Sequence, residues 1–377
     1  MYRMNGYRIG VVTFPTRKSG NQPLSNLMDI IDLCSGETTL ITGNDGYALF
    51  KDDPRFHIDG IYHVQGNRFG SRVFRYISTQ IRISYHIVQR NSRVDKWIFF
   101  FGGSGLILPL LTAKLSYKCT TLLLADAGAE LTRASGDPLS YFLKPLSHMT
   151  YALANNLILY SPSLITGWNL EPYSHKIRIA HEHFLDFNTF TVTTPLRDRP
   201  LLIGYVGRLS EEKGVQHFVQ ALPTILSDRE DLRVLIGGDG PLKESIEASL
   251  QKGGTIACID LPGWISREAL PNYLNQLRLL VLPSYTEGLP NIMLEAMACG
   301  TPVLATPVGA IPDVIIDGKT GFIMENNSPE CIAENVIRAL NSPDLEQIAE
   351  AGRRFVEENY TFERTVENWK EILQSIE

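Results

Sequence analysis

Short apolar runs alternate with longer segments of helical periodicity along the whole chain. Uninterrupted apolar runs are typical of strands buried on both faces, and their alternation with helices predicts parallel strands in βαβ units. The predicted strands cover residues 8–14, 38–42, 97–101, 119–125, 156–160, 201–206, 232–237, 279–282 and 302–305. The clearest amphipathic helices are predicted over 215–226, 241–250, 329–340 and 344–358. The pattern therefore predicts an α/β protein.

The chain has 377 residues, which is more than one hydrophobic core usually supports. Residues 188–199 combine asparagine, proline and charged residues and predict a linker between two domains, one over 1–190 and one over 198–358. Each domain is expected to be a Rossmann-like, doubly wound parallel sheet, and the two are expected to face a central cleft. Because ligands of such sheets bind beyond the carboxyl ends of strands, the loops after strands are the candidate functional segments.

Composition narrows the class of protein further. Hydrophobic residues make up 44% of the chain and charged residues 20%, which is typical of a globular protein. The five cysteines are scattered, odd in number and without a CxxC pair, so a reduced cytoplasmic interior is expected rather than a disulfide framework or a zinc site. The N-terminus runs directly into a strand pattern, which leaves no room for a signal peptide.

The most informative stretch is EGLPNIMLEAMACG at 287–300. Strand 279–282 precedes it, Pro290 suits the first turn of a helix over 291–299, and Gly300 is a typical helix end. The stretch is therefore predicted to form a loop after a strand, followed by the start of a helix.

Glu287 lies in that predicted loop, and Glu295 lies about one turn inside the helix. The run supplies no counter-charge, although burial of an unpaired carboxylate is costly. With Gly288 allowing close approach to the helix N-terminus, we interpret both acids as acceptors for the hydroxyls of a ligand, and while that ligand is bound they need no protein counter-charge. An ordinary capped helix with surface acids is the alternative.

A second element, GYVGRLSEEKG at 204–214, follows the first strand of the second domain. Arg208 offers a planar fork and Lys213 a point charge, and both suit a diphosphate. In the alternative interpretation, these cations pair with Glu211, Glu212 or solvent.

Together these elements resemble the family-4 retaining glycosyltransferases, the group 1 class with the GT-B architecture. The spacing Glu287-x7-Glu295 is that family's signature. The resemblance covers the whole second domain and extends weakly over the first. Its motifs are GYVGRLSEEKG (204–214), GGDGPL (237–242), LPGWI (261–265), PSYTEGLPNIMLEAMACGTPVLAT (283–306) and VGAIPDVIIDGKTGFI (308–323).

The resemblance implies transfer of a sugar, with retention, from a UDP- or GDP-sugar to a glycan or lipid-linked acceptor. The second domain would bind the donor and the first the acceptor, and a C-terminal helix within 359–377 would cross back to the first domain. No Asp-x-Asp follows a strand, which agrees with a metal-independent enzyme. The nucleotide sugar is a substrate, so no cofactor, no metal and no nucleic-acid partner is expected.

Site residues follow from the same resemblance. Arg208 and Lys213 would hold the donor diphosphate, Glu287 the donor sugar and Glu295 the ribose, with Glu287 the more critical for turnover. The expected catalytic set is these two cations, Glu287 and Asp126. The other expected donor-binding residues are Gly20, Asn21, Gly207, Gly263, Trp264, Ile265, Gly288, Leu289, Pro290 and Asn291.

The first domain departs from the family pattern. Its loop 19–26, with Gly20 and Asn21, is expected to approach the diphosphate or the acceptor; a flexible turn is the alternative. Asp126 stands where many members place a histidine, and either contacts sugar hydroxyls or caps a helix. Arg133 and 135–137 would extend that pocket.

Two further motifs have weak functional interpretations. His181, Glu182 and His183 look like a metal triplet, but the family's interdomain Asn-Gly-Val-Asp motif maps onto 183–186, so packing near the linker is favoured. Gly103-Ser104-Gly105 lacks the third glycine of a dinucleotide-binding loop, since Leu108 stands there.

Residues 71–93 form a basic amphipathic helix pattern. The arginines share one face with Thr79 and His86, whereas the other face is apolar. Contact with an anionic membrane, and hence peripheral location on its inner face, is one interpretation, and a solvated outer face is the other. The arginines are Arg72, Arg75, Arg82, Arg90 and Arg93, and the apolar residues are Phe74, Ile77, Ile81, Tyr85 and Val88.

Three rival functions are distinguishable. A catalytically silent nucleotide-sugar-binding subunit or sensor would bind the donor without hydrolysing it. A dinucleotide-dependent oxidoreductase is disfavoured by the missing third glycine and the absent ribose-binding acid. A sugar epimerase with the same architecture would need acid and base residues that the sequence does not identify.

Overall fold

The computed structural model describes residues 6–16, 18–64, 66, 69–125, 140–252 and 256–376. The chain divides into two compact units. The first contains the residues up to Phe184 together with those from Phe362 onward, and the second contains Leu185–Thr361. Each unit has its own parallel sheet.

The sheet of the first unit has seven described strands, all parallel, in the order β3-β2-β1-β4-β5-β6-β7. The strands are β1 (Arg8–Thr13), β2 (Glu37–Gly43), β3 (Phe56–Ile61), β4 (Lys96–Phe100), β5 (Cys119–Leu124), β6 (Asn156–Leu159) and β7 (Ile177–Ile179). The helices are α1 (Asn21–Cys34), α2 (Asp45–Phe50), α3 (Phe69–Arg90), α4 (Ile107–Leu115), α5 (Ser140–Leu153), α6 (Ser163–Gly167) and, from the end of the chain, α14 (Phe362–Ser375).

The sheet of the second unit has six described strands, also all parallel, in the order β10-β9-β8-β11-β12-β13. The strands are β8 (Leu202–Val206), β9 (Arg233–Gly237), β10 (Ile259–Gly263), β11 (Leu279–Leu282), β12 (Val303–Ala305) and β13 (Phe322–Ile323). The helices are α7 (Val215–Asp228), α8 (Lys243–Lys252), α9 (Leu270–Leu274), α10 (Asn291–Ala298), α11 (Ile311–Val314), α12 (Pro329–Leu340) and α13 (Leu345–Asn359).

The central strands are buried on both faces, as their apolar runs require. In the first unit, Val11 of β1 pairs with Leu40 on one side and with Ile98 on the other, and all three are fully buried. In the second unit, Leu279 and Leu280 of β11 are likewise fully buried. Continuous apolar strands of this kind form a parallel sheet covered by helices on both sides.

Helix α14 packs on the first unit. Val366 and Trp369 are fully buried, and the Trp369 indole N–H donates to the His181 carbonyl at 2.8 Å. The ammonium group of Lys96, in β4, donates to the carbonyls of Leu373 and Ile376. The last described helix therefore contributes to the core of the first unit.

The prediction of an α/β protein with two doubly wound parallel sheets is confirmed. All nine predicted strands are present, with boundaries that differ by at most one residue at each end. Four strands were missed, β3, β7, β10 and β13, because they are short or, like HIDG within β3, interrupted by polar residues. Among the described residues, no helix is both long and apolar enough to cross a lipid bilayer.

Candidate functional site

The candidate site of the second unit lies at the point where its strand order reverses. The chain places β9 and β10 on one side of β8, and β11 to β13 on the other. Neighbouring parallel strands end at the same edge of a sheet, so the loops after β8 and β11 meet there, as they do in other open α/β sheets that bind ligands. These loops carry the two sequence elements singled out above.

Gly214 brings these two loops together. It lies at the start of α7 with φ +67°, a conformation that favours glycine, and a Cβ there would overlap the Pro283 carbonyl oxygen of the loop after β11. The Tyr285 N–H donates to the Glu212 carbonyl at 2.9 Å and reinforces this approach. Lys213 is therefore held against the segment that contains Glu287.

Lys213 and Glu287 form an ion pair. The Lys213 ammonium lies 2.8 Å from both carboxylate oxygens of Glu287, and the Ser284 hydroxyl donates to Oε1 of the same group at 2.7 Å. The Glu287 side chain is only 8% exposed. The protein thus supplies a counter-charge to this acid, and it comes from 74 positions earlier in the chain.

Arg208 is exposed near the start of the same β8 loop. Within the described part of the chain, its guanidinium has no hydrogen-bond or ion-pair partner, although its charge helps to lower the pKa of Glu212 against the opposing effect of burial. The Tyr205 hydroxyl donates to the Arg208 carbonyl at 2.6 Å and fixes the backbone. Glu212 accepts from the Ser210 hydroxyl at 2.6 Å, so the expected alternative pairs with Glu211 or Glu212 do not form.

The loop after β11 leads directly into α10. Leu289 and Pro290 are buried, whereas Asn291 is exposed at the first turn of α10. The Gly288 carbonyl accepts from the Ala310 N–H at 2.8 Å, which anchors the loop from behind. Pro290 provides no side-chain cap, and the Met293 N–H donates to the Pro290 carbonyl at 3.1 Å. The N–H groups of Asn291 and Ile292 are therefore the ones available to an anion at the same edge of the sheet.

Glu295 is buried in the second turn of α10. Its side chain is 7% exposed, and the Arg267 guanidinium donates to its Oε1 at 3.4 Å. Burial raises the pKa of Glu295 to about 7, and the charge of Arg267 opposes that rise. Arg267 is a residue that sequence reasoning missed, and it again supplies a counter-charge that the local sequence lacks.

The loops after β9 and β10 pack beside the β8 loop. The Gly207 N–H donates to the Gly237 carbonyl at 3.0 Å, and the Gly238 N–H donates to the Gly263 carbonyl at 2.7 Å. A Cβ on Gly237 would overlap the Ile265 side chain, so this glycine permits close packing. Trp264 is 78% exposed and stands next to this junction.

A second hydrogen-bonded group on the β11 loop was also missed. The Tyr285 hydroxyl lies 3.2 Å from Nε2 of His217, and Nδ1 of His217 lies 2.7 Å from the Asn327 carbonyl. The Asn327 amide in turn donates to the Pro283 carbonyl at 3.0 Å. These contacts fix the β11 loop from the side of α7, and no local sequence signal predicts them.

In the first unit, Gly20 and Asn21 lie at the corresponding reversal, between β1 and β4. Gly20 ends a short 3-10 turn and Asn21 begins α1. A Cβ on Gly20 would lie 3.6 Å from the Phe101 ring, in the loop after β4. The Asn21 side-chain oxygen is buried, and no described residue donates to it.

Asp126, Arg133 and 135–137 lie outside the described residues.

Glu182 is buried and accepts from the Tyr160 hydroxyl at 2.6 Å, and burial raises its pKa to about 7. Within the described part of the chain, no three acidic, histidine or cysteine side chains are placed to hold a metal ion. The contacts of His181 and Glu182 are those of buried packing next to the boundary between the units.

Comparison with known proteins identifies relatives of this arrangement. Residues 186–355 match the family model of glycosyl transferases group 1. The chain is 32% identical over 179 residues to the alpha-D-kanosaminyltransferase of Streptomyces kanamyceticus, which covers 46% of each protein. It is 24% identical over 346 residues to an uncharacterized glycosyltransferase of Methanocaldococcus jannaschii, which covers 88% of this chain and 83% of that one. The chain thus spans about half the length of several of the curated relatives it matches.

The fold also matches solved structures over nearly its whole length. HepE from Anabaena, in complex with UDP, superposes with a TM-score of 0.77 at 14% identity, covering 98% of this chain and 100% of HepE. Other HepE structures contain UDP with glucose, or UDP-glucose. At this identity the likeness establishes the fold alone, which is the GT-B fold. Residues 186–355 of the second unit are thus similar to the group 1 glycosyltransferases.

Proposed function

We propose that the protein is a retaining glycosyltransferase that transfers a hexose from a nucleotide-diphosphate donor to a glycan or lipid-linked acceptor. The observation that carries the proposal is the pairing of Lys213 with Glu287 at the strand reversal of the second unit, with Arg208 exposed beside it. This places two cations and an acid acceptor where open α/β sheets bind ligands.

The donor diphosphate is assigned to Arg208, Lys213 and the first turn of α10. Each charge-assisted hydrogen bond to a phosphate oxygen contributes roughly 1.5–3 kcal/mol. An incoming diphosphate competes with Glu287 for Lys213, since both are anions and Lys213 is 30% exposed. We infer that donor binding turns the ion pair into a shared site, in which Lys213 holds phosphate and the Glu287 carboxylate is released to accept from sugar hydroxyls.

The remaining donor contacts are assigned by position. Glu295, buried in α10, accepts from the ribose hydroxyls, and Arg267 keeps it partly ionised near neutral pH. Trp264 is exposed and lies beside Gly263 and Ile265, where the loops after β9 and β10 pack together. We assign these three residues to binding of the nucleobase. Gly207 and Gly288 allow the backbone to approach the donor closely.

The proposed reaction breaks the bond between the anomeric carbon and the leaving diphosphate oxygen. The acceptor hydroxyl forms the new bond on the same face, and its proton goes to the leaving diphosphate. Negative charge develops on that diphosphate, so fixed cations and a helix N-terminus stabilise the transition state more than the ground state. No step requires a metal ion, and turnover is expected to persist in excess EDTA.

UDP-sugars are the first donors to test, because structures of the structural neighbour HepE contain UDP and UDP-glucose. GDP-sugars remain the second candidate. A reduced, cytoplasmic environment is also proposed, and it is supported by five cysteines that are all free thiols.

The test begins with thermal shifts in UDP-, GDP- and ADP-sugars, since a ligand that binds the folded state raises its melting temperature. UDP-glucose is expected to stabilise the wild type, and Lys213→Ala to lose most of that shift. Absence of any shift with all three donor classes contradicts the proposed site.

A catalytically silent donor-binding subunit is the alternative function, and a second measurement separates it. Slow release of UDP or GDP from a bound donor sugar, lost in Arg208→Ala, supports the enzyme. Donor binding without any hydrolysis or transfer supports the silent subunit. Glu287→Gln is expected to lose more in kcat than Glu295→Gln, and equal losses contradict the ranking of the two acids.

A further inference from the structure

Helix α3 of the first unit exposes an apolar face. Five side chains spaced three or four residues apart are between 44% and 73% exposed. At 100° per residue they fall within an arc of about 80° on the helix. The apolar stripe consists of Phe74, Ile77, Ile81, Tyr85 and Val88.

The orientation of α3 is fixed by its opposite side. Ile83 and Ile87 are fully buried, and Thr79 and Gln80 are 3% exposed. The Gln80 side-chain oxygen accepts from the Leu108 N–H at 3.0 Å, and the Thr79 hydroxyl lies 2.7 Å from Nδ1 of His63. The core side of α3 is therefore the one that carries Thr79, and the apolar stripe faces solvent.

Cations border the stripe on one flank. Arg75 and Arg82 are exposed and donate to the carbonyls of Val64 at 3.0 Å and Tyr62 at 3.2 Å. Tyr62 is itself 74% exposed, and a shallow pocket of about 280 Å³ separates it from Phe74. The 22 residues of α3 include no aspartate or glutamate, so the whole face is apolar and positively charged.

The neighbouring helix α4 extends the apolar surface on the other flank. It packs beside α3, and its Leu108 and Leu115 are 39% and 78% exposed. Soluble monomers rarely expose a contiguous apolar patch of this kind unless it contacts another surface.

We propose that this face docks on a lipid bilayer that carries anionic headgroups. An amphipathic helix that lies flat buries one apolar face at the acyl boundary and places its arginines among the headgroup phosphates. A second copy of the chain fits less well, since a symmetric contact through α3 brings two rows of arginines together. The stripe and its bordering arginines include no residue assigned to the donor, so the test does not depend on the proposed reaction.

The experiment measures co-sedimentation of the full chain with vesicles of phosphatidylcholine alone and with about one third phosphatidylglycerol. The wild type is expected to bind the anionic vesicles, and less at high salt because screening weakens the arginine contribution. The stripe variant Phe74→Ser/Ile81→Ser is expected to lower the partition coefficient at least about 10-fold. The arginine variant Arg75→Gln/Arg82→Gln is expected to lower it roughly 10-fold on anionic vesicles only.

The matched control is Ile316→Ser/Arg354→Gln in the second unit, where both residues are also exposed. It is expected to bind vesicles like the wild type, and all three variants to keep the wild-type melting temperature, since each changed side chain is exposed. Wild type that stays in the supernatant with anionic vesicles overturns the proposal, as does a stripe variant that binds them equally. A concentration-dependent dimer that the stripe variant abolishes, without vesicle binding, also overturns it and assigns the face to self-association.

Discussion

The buried carboxyl group of Glu295 gives donor binding a predicted pH dependence. Its side chain is 7% exposed, and burial raises its pKa to about 7 against the opposing charge of Arg267. If Glu295 accepts from the ribose hydroxyls, as proposed, its ionised form is the stronger acceptor. Donor affinity is therefore expected to increase as the pH rises through 7.

The magnitude follows from the ionised fraction. With a pKa of about 7, that fraction is roughly 0.1 at pH 6 and roughly 0.9 at pH 8. Apparent affinity scales with the fraction of protein in the binding-competent form, so the Kd for the donor should fall about tenfold between these two pH values. Substituting Arg267 with Gln should shift the midpoint upward by less than about one pH unit, because Arg267 is half exposed and its charge is screened.

The assay is calorimetric titration with UDP-glucose at half-unit steps from pH 6 to 8. Glu295→Gln is the matched control, since an amide does not titrate in this range; it should bind with a Kd that does not change with pH. A flat profile for the wild type, or the wild-type slope in Glu295→Gln, refutes the reasoning.

The same ionisation has the opposite effect on folding. The pKa of Glu295 is higher in the folded protein than its ordinary value of 4.5, so the folded state prefers the protonated form. Stability of the second unit is therefore expected to decrease as the pH rises from about 4.5 through 7, by up to about 3 kcal/mol. Urea unfolding of Glu295→Gln at pH 5 and pH 8 should show a smaller decrease than the wild type.

Three other substitutions test the site. Arg208→Ala should lower kcat about 100-fold or more, because the guanidinium stabilises the charge that develops on the leaving diphosphate. The melting temperature should not change, because the side chain is exposed. Wild-type turnover by this variant contradicts the assignment. Lys213→Met should cost roughly 2 kcal/mol in urea unfolding because it leaves the buried Glu287 carboxylate unpaired, and adding Glu287→Gln should recover part of it; additive losses rule out the ion pair as their cause. Gly214→Ala should lower the free energy of unfolding by at least about 2–3 kcal/mol, because its φ is positive and the new Cβ overlaps the β11 loop. Gly318 has nearly the same φ but lies in open space, so Gly318→Ala should cost only about 1 kcal/mol. Equal losses in the two variants contradict the packing argument.

The sequence predicts the local parts of the site well. Pro290 and Gly300 delimit α10, and the apolar run of β11 precedes it, so a loop–helix junction at 283–291 is readable from periodicity and turn residues alone. Local signals of this kind depend on residues within a few positions of each other. They therefore predict where the helices, strands and loops lie along the chain, and hence at which edge of the sheet the site forms.

The counter-charges were not predictable in the same way. Lys213 meets Glu287 because Gly214 lets two loops touch, and Arg267 reaches Glu295 from the segment after β10. No residue within a few positions of Glu287 or Glu295 predicts either contact. The faces of α3 show the same limit, since periodicity separates an apolar face from a basic one, whereas the hydrogen bond from Leu108 to Gln80 decides which side is buried.

The position of α14 has a consequence for the order of synthesis and folding. The second unit is one continuous segment, Leu185–Thr361, whereas the first unit needs α14, whose Val366 and Trp369 are fully buried in it. The ribosome makes α14 only after the entire second unit. The first unit to be translated is therefore the last to complete its core, and a chain interrupted before Phe362 leaves the surface that α14 covers, including Cys34 and Lys96, exposed to water.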